Sequence, residues 1–533
     1  MKVRSLLAGL SFTFLSSQTF ANSEQPNILL IVADDLGWAD VGFHGAEIET
    51  PSLDQLAREG AQLDRFYVAP TCSPTRAALM TGRDPMRLGV AYATVMPWSN
   101  FGVKPDEKFM SEAFQSAGYQ TGIFGKWHLG NAQEAYTPQK RGFDYFYGHL
   151  NTEVGYYPPY NVQGGKDFQR NGKTIPENET GYETDMVSSE LSRWIKERDK
   201  DKPFFAYLPY LAPHTPLEAP QSLIAKYKHL KDDKTTSLPT AKGVKKDSTN
   251  VRPVYAAMVD AMDQGIGRIL KTLDEEGLAD NTIVMFFSDN GGPIYGGAGA
   301  KNLPLRGGKG NTFEGGIRVP SVIRWPEKIN AGQTIEDIIT VMDIFPTLSA
   351  AASIKTGNTR PLDGKSMLPA LLGKPVPPRK DLVFFTSETP IRNSFSLTAF
   401  NDDWKLVQQI KQGFTQTEVK NHLFKIHEDP YEKNNLAEKH PEVVARLSQS
   451  INTWRMLYPL NGIRSNIVPP PGWKAPLDWT LYPTPDNQLQ KHEAFGQAPN
   501  QRVKIYLDVL YGEAGRLIYD CIPQKQGPCK PNL

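Results

Sequence analysis

The sequence predicts an α/β protein: a large central mixed, mostly parallel sheet flanked by helices, followed by a smaller C-terminal α+β domain. Three observations predict it. Short apolar runs recur at Ile28–Val32, Tyr119–Phe124, Phe204–Leu208 and Thr282–Phe287, each with the length of a strand buried on both faces. Helical stretches lie between them, as crossovers between parallel strands require. The composition then shifts near Pro375–Lys380, where prolines cluster, and shorter strand-like pieces follow at Leu382–Phe385, Phe395–Phe400 and Trp404–Gln408.

With 533 residues the chain can form more than one hydrophobic core. Lysine and arginine number 59 against 58 aspartates and glutamates, so no basic excess points to nucleic acid. The 42 prolines and 44 glycines accompany an ordinary apolar content, which reads as ordered loops rather than disorder. Residues 1–21 read as a secretory signal peptide: Lys2 and Arg4 precede a short apolar core, Leu6–Leu15, and Thr19-Phe20-Ala21 offers a cleavage site. That core is too short to span a bilayer, and no later segment is long and apolar enough. An exported protein without a membrane span, periplasmic or secreted, is expected. Cys521 and Cys529 lie close together and are expected to form a disulfide in an oxidising compartment, leaving Cys72 single.

Taken in order, Ile28–Val32 is the first buried strand and ends in Asp34-Asp35. Adjacent carboxylates repel unless a cation or proton lies between them; a solvated loop or a helix N-cap would also accommodate them. Thr50-Pro51 opens a helix through Leu53, Leu56 and Ala57 that stops at Gly60. Next comes Cys72-Ser73-Pro74-Thr75-Arg76. Proline belongs in a first helical turn, so Cys72 should lie at or just before a helix N-terminus, where unpaired N–H groups and the dipole favour an anion. Arg76, four residues on, shares its side of the helix. A small buried cysteine ahead of an ordinary helix would look the same.

Phe109–Ala117 reads as a helix and Tyr119–Phe124 as a strand running into Gly125-Lys126-Trp127-His128-Leu129-Gly130. Alternation would put Lys126 and His128 on one side of an extended strand end. Residues 151–180 read as loop, and Met186–Glu197 as a helix. The strand Phe204–Leu208 leads to Pro213-His214-Thr215-Pro216, and residues 226–250, rich in Lys, Asp and Thr, read as an exposed insertion. Tyr255–Glu276 is a long amphipathic helix. Thr282–Phe287 is the expected central strand, ending in Ser288-Asp289-Asn290-Gly291-Gly292, where Asp and Asn supply hard oxygen ligands. Arg306-Gly307-Gly308-Lys309-Gly310 and Glu314–Pro320 follow, then a helix over Asp337–Leu348. A helix over Glu442–Leu457 should cover the C-terminal strands, and residues 460–533 carry no motif. Four strands thus end in polar groups: Asp34/Asp35, Lys126/His128, His214 and Asp289/Asn290. Open α/β sheets bind ligands at the carboxyl ends of their strands, so these and the Cys72 helix predict one pocket from five distant segments.

Cys72–Arg76, continuing to Thr81-Gly82-Arg83, closely resembles the signature of the type I sulfatases of the alkaline phosphatase superfamily. Gly125–Gly130, Pro213–Pro216 and Glu314–Pro320 are similar to further segments of that family, and the likeness runs from Pro26 to about Ala437. It implies a catalytic domain over 22–375, a small antiparallel-sheet domain over 376–460, and leaves 461–533 as an extension. It implies that a maturation enzyme oxidises Cys72 to Cα-formylglycine, whose hydrate attacks sulfur. Asp34, Asp35, Asp289 and Asn290, with the modified Cys72, would hold one divalent cation. An all-oxygen set favours calcium over magnesium, and both over zinc. Arg76, Lys126 and Lys309 would offset charge on the sulfate oxygens. His214 would give a proton to the leaving alcohol, and His128 would take one from the second hydroxyl.

Readings in other classes are a phosphatase or phosphonate hydrolase, and a sulfoglycan-binding protein with a decayed site. The Cys72 signature and single-metal set favour sulfate over phosphate, and the retained polar positions favour an enzyme. For the leaving alcohol, a sulfated polysaccharide or its oligosaccharides is expected, with small phenolic sulfates as the alternative. Selectivity should come from the pocket mouth. The candidate segments are Tyr156–Arg170, with Tyr157 and Arg170, and Pro459–Trp479, with Arg464, Asn466, Trp473 and Trp479.

Overall fold

The computed structural model describes residues 25–232, 250–294, 299–389, 394–412, 416–463, 469–470 and 472–485. In chain order the strands are β1 (Asn27–Ala33), β2 (Ala61–Leu63), β3 (Phe66–Tyr67), β4 (Gln120–Lys126), β5 (Tyr145–His149), β6 (Gln169–Arg170), β7 (Lys173–Thr174) and β8 (Phe204–Pro209). They continue with β9 (Thr282–Ser288), β10 (Ser321–Arg324), β11 (Gln333–Ile335), β12 (Ile339–Thr340), β13 (Val383–Thr389), β14 (Ser394–Phe400), β15 (Lys405–Gln412) and β16 (Thr417–Phe424). The main sheet has ten strands in the order β11-β2-β10-β9-β1-β8-β4-β5-β6-β7.

The run β9-β1-β8-β4-β5 is parallel throughout, while β10 pairs antiparallel with β9 and makes the sheet mixed. The apolar runs are central because helices cover both of their faces. Ile28, Leu30 and Val32 point with Met285, Phe287 and Phe205 into one core, shared with the helices Cys72–Thr81 and Ile344–Ala351. Leu29, Ile31 and Ala33 point with Val284, Phe286 and Leu208 into the other, against helices Pro51–Glu59, Glu183–Glu197 and Arg252–Glu275. Fully burying each such side chain stabilises by about 1.5–3 kcal/mol, so both halves of the alternation must be apolar.

The smaller unit is the antiparallel sheet β13-β14-β15-β16. One face packs Leu397, Ala399 and Leu406 against Val443, Leu447, Ile451 and Trp454 of the helix Pro441–Arg455. The other face turns to the main domain, where Val407 and Phe424 enclose Phe313. Among the described residues no helix is long and apolar enough to cross a membrane.

Four local expectations change. The helix expected from Asp337 begins only at Ile344, because Ile339–Thr340 is drawn into β12 by pairing with β3 and a 3-10 turn follows. Tyr145–His149 is a strand that the aromatic run did not announce, and the expected loop 151–180 contains the β6–β7 hairpin. Of the expected insertion 226–250, the described start is exposed at Lys226, Lys228, His229, Lys231 and Asp232, while Tyr227 and Leu230 are buried and Lys226 reaches Asp260 on the long helix at 2.7 Å. His128 lies beyond the end of β4 with φ 59°, so strand alternation does not set its direction. Residues 1–21, Arg464, Asn466, Cys521 and Cys529 lie outside the described residues, and with them the expected signal peptide and disulfide.

Candidate active site

Parallel strands place their carboxyl ends along one edge, and the polar residues gather there. Asp34 and Asp35 follow β1, Lys126 ends β4, His214 follows β8, and Asp289-Asn290 follows β9. Asp35 has φ 70°, a left-handed backbone rare outside glycine. Cys72 is the first residue of a fully buried helix whose C-terminus closes on Gly82 at φ 64°. Lys309 arrives on a loop pinned by Gly310 N donating to Pro70 O at 2.8 Å.

The contacts form one network. Arg76 donates from Nε and Nη2 to Asp289 Oδ2 at 3.0 and 2.8 Å, and from Nη2 to Asp34 Oδ2 at 2.9 Å. Its Nη1 donates to the carbonyl of Lys126 at 3.2 Å. Lys126 Nζ reaches Asp34 Oδ2 at 2.5 Å, and Lys309 Nζ reaches Asp35 Oδ1 at 2.6 Å. Asn290 Nδ2 donates to Asp35 Oδ1 at 2.8 Å. Arg76 is fully buried and spends its donors on carboxylates and a carbonyl, so it clamps the acids from beneath. Removing it would leave two buried charges undercompensated, a cost of about 3–5 kcal/mol.

Electrostatics follow from burial and these neighbours. Burial alone would raise Asp34, but Lys126, His214, Arg76 and Lys309 together hold it well below the usual carboxylate range. Asp289 is pushed up to about 7 by burial and by Asp34, against Arg76 and Lys126. Burial also pushes the Cys72 thiol up to about 11, outweighing Lys126 and Lys309. The thiolate is therefore scarce at neutral pH, and an unaltered Cys72 is a poor nucleophile.

The histidine tautomers can be read from their partners. His128 Nε2 lies 3.0 Å from Val95 O, which can only accept, so Nε2 carries the proton. Its Nδ1 is buried and unpartnered. His214 Nδ1 donates to Thr215 O at 2.7 Å, and its bare Nε2 faces Asp35 Oδ2 at 3.7 Å. Burial, helped by Lys309, lowers His214 to about 4 against Asp35 and Asp34. His128 falls well below its ordinary value, through burial and then Lys126 and Arg76.

The donor set fits a hard cation. Asp34 Oδ1 and Asn290 Oδ1 are both buried without a hydrogen-bond partner. Asp34, Asp35 and His214 bring ligand atoms within 4.8 Å of one another. Such orphaned oxygens beside adjacent carboxylates are what a divalent ion satisfies.

The structure brings Asp34, Asp35, Cys72, Arg76, Lys126, His128, His214, Asp289, Asn290 and Lys309 together. It does not bring Arg170 with them. That residue pairs with Tyr147 across β5 and β6, and its guanidinium donates to Glu179 at 2.9 and 2.7 Å and to Glu190 at 3.1 Å, toward the start of β5. Tyr157 is 40% exposed beside Tyr182, and its neighbour Tyr156 donates to His214 O at 2.9 Å. The segment from Trp473 to Thr484 folds back onto the main domain: Trp479 N donates to Lys166 O and Thr484 N to Ala132 O, both at 3.0 Å. Trp479 is fully buried there.

Sequence reasoning missed two groups. His149 ends β5 beside Lys126, fully buried, and neither ring nitrogen has a partner. Glu153 is buried with Oε2 3.7 Å from His214 Nδ1, and burial raises it to about 7. Tyr145-Phe146-Tyr147-Gly148-His149 lacks the aliphatic run that marked the other central strands, so the sequence offered no clear signal for this strand end.

A buried cysteine at a helix N-terminus, gathered with clamped acids and two lysines at the parallel strand ends, suits a hydrolase acting on an oxyanion ester. Residues 26–354 match the profile of the sulfatase family, and residues 308–456 match that described as N-sulphoglucosamine sulphohydrolase, C-terminal. The chain belongs to the sulfatase family and is a sulfuric ester hydrolase. It is 29% identical to arylsulfatase J of Mus musculus over 84% of this chain and 79% of that protein. It is 35% identical to N-acetylgalactosamine-6-sulfatase of Homo sapiens over 66% of each. The crystal structure of Ps i-CgsB superposes with a TM-score of 0.71 and 35% identity, covering 82% of this chain and 94% of that one. The same protein has been solved in complex with k-i-k-neocarrahexaose.

Proposed function

We propose that this protein is an exported sulfatase that removes sulfate from a sulfated polysaccharide or its oligosaccharides. The observation that carries the chemistry is Cys72: it begins a buried helix among Asp34, Asp289, Lys126 and Lys309, and burial pushes its thiol up to about 11, which favours a modified side chain as the nucleophile. Conversion of Cys72 to formylglycine, by a maturation enzyme, supplies a hydrated aldehyde as the oxygen nucleophile. Asp34, Asp35, Asp289, Asn290 and the modified residue 72 would hold a calcium ion, which would supply positive charge to the sulfate.

The chain's own groups do the rest. Lys126 and Lys309, each on one of the paired acids, face charge that develops on the nonbridging oxygens. His214 carries a proton on Nε2 to the leaving alcohol. A bound sulfate adds a negative charge beside it and so pulls its low pKa upward, toward the protonated form. His128 is held neutral with Nδ1 bare, ready to take a proton from the second hydroxyl. The glycan reading is supported by the solved carrahexaose complex of a protein 34% identical to this one and by the exposed Tyr157, next in the chain to Tyr156, which donates to His214 O. Export is supported by the signal-like residues 1–21.

The test is turnover of an aryl sulfate, an aryl phosphate and a panel of sulfated oligosaccharides by the matured protein. Sulfate should be preferred to phosphate by more than about tenfold in kcat/KM. Turnover of aryl sulfate with every oligosaccharide refused would return the alternative of small phenolic substrates, and a phosphate preference would remove the sulfatase mechanism.

A further inference from the structure

A cavity of about 350 Å³ lies outside the catalytic cluster, within the range of small-molecule sites. One wall is Gly310 and Asn311, and the other is the sheet surface of Ser396, Gln409, Lys411 and Lys420. Ser396, Gln409 and Lys420 are register partners across β14, β15 and β16, so they share one face. Further in, that face is closed: Val407 packs on Phe313, and Lys405 is buried. Lys405, Val407, Gln409 and Lys411 alternate along β15, so the closed and open parts are one continuous surface. The cavity is where this surface leaves the domain contact and meets water.

The Gly310 wall continues directly into Lys309, whose Nζ lies 2.6 Å from Asp35 Oδ1. Lys309, Gly310 and Asn311 are consecutive, so the cavity wall begins within about 7 Å of the Lys309 backbone, a short reach for a polymer whose reacting sulfate lies against Lys309. The lining offers amides and hydroxyls for sugar hydroxyls and, for an anion, two exposed lysines against the single carboxylate of Glu418. Lys420 lies 3.4 Å from Glu418, while Lys411 has no ion-pair partner among the described residues.

We propose that this cavity is a glycan subsite that takes a second, sulfate-bearing saccharide unit of the substrate chain, remote from the ester being cleaved. This rests on the sulfatase reading of the catalytic cluster. Neither lysine belongs to the catalytic machinery, so Lys411→Ala/Lys420→Ala should leave kcat/KM on 4-nitrophenyl sulfate unchanged. Calorimetric titration of the full chain with carrageenan and chondroitin sulfate oligosaccharides reads the cavity itself. Wild type should bind a hexasaccharide of at least one of them more tightly than the disaccharide. The double variant should lose about threefold to tenfold of that advantage, as two exposed charge contacts warrant, with disaccharide binding unaltered. Lys411→Arg/Lys420→Arg should retain it, and Glu418→Gln should tighten it. An equal hexasaccharide advantage in wild type and double variant, or none in wild type, overturns the subsite. Failure to turn over the aryl sulfate, with binding behaving as described, would instead overturn the proposed reaction and leave the subsite standing.

Discussion

His214 carries its only described proton on Nδ1, donated to Thr215 O at 2.7 Å, so work as an acid depends on protonating Nε2 when sulfate arrives. The need for that proton grows with the basicity of the leaving alcohol. His214→Ala should therefore cost about 10²-fold or more in kcat on an alkyl or sugar sulfate and much less on 4-nitrophenyl sulfate, whose leaving group needs little help. Equal losses on both would assign His214 to binding. Glu183 illustrates burial acting on stability rather than chemistry. Its Oε1 has no partner, and burial raises it from 4.5 to about 8 against a weak contact with Thr184. The folded form thus holds a proton that the unfolded chain loses above about 4.5. This contribution is complete below that pH and is lost as pH rises through about 8. Glu183→Gln removes the titration. Its urea stability relative to wild type should improve by roughly 1–4 kcal/mol between pH 5 and pH 9. A pH-independent difference would contradict the buried, protonated Glu183.

At the scale of elements, strand ends depend on close backbone approach. A Cβ on Gly291 would sit 1.7 Å from Gly315 O, backbone against backbone, so neither partner can yield cheaply. Gly291→Ala should force the end of β9 away from the Glu314 turn, costing about 2 kcal/mol or more and displacing Asn290. Chemical denaturation and kcat/KM should fall together; a fully active, equally stable variant would show that the turn adapts. The strands that place the site were legible in the sequence because burial on both faces leaves only apolar residues between polar ends, as in Ile28–Val32 before Asp34. The strand Tyr145–His149 was not, since its flank is covered by the short β6 and its composition is mostly aromatic and polar. The direction of His128 was lost for another reason: left-handed backbone at a non-glycine residue is set by surroundings, not by local pattern. Arg170 looked like a glycan contact, but only tertiary structure supplies Glu179 and Glu190 as its partners.

Across the whole molecule, the C-terminal sheet is joined to the short helix that follows the Lys309 loop by a buried ion cluster. Lys405 Nζ lies 2.6 Å from Glu314 Oε1 and 2.9 Å from Glu432 Oε1, with all three side chains fully buried. Lys405→Met keeps the volume but strands two carboxylates, and should cost about 3–5 kcal/mol in denaturant unfolding. Adding Glu432→Gln should recover part of that loss, and no loss at all would mean that the cluster does not couple the units. The same architecture converges several distant segments on one side chain, and the central proposal is that residue 72 reacts only after its thiol has been replaced. The most direct measurement is the mass of the peptide containing Cys72, taken alongside aryl sulfate turnover in preparations made with and without a formylglycine-generating enzyme. Turnover should rise in proportion to the converted fraction and vanish in folded Cys72→Ser protein made where only cysteine is converted. Full turnover from protein whose Cys72 retains its thiol would contradict the account.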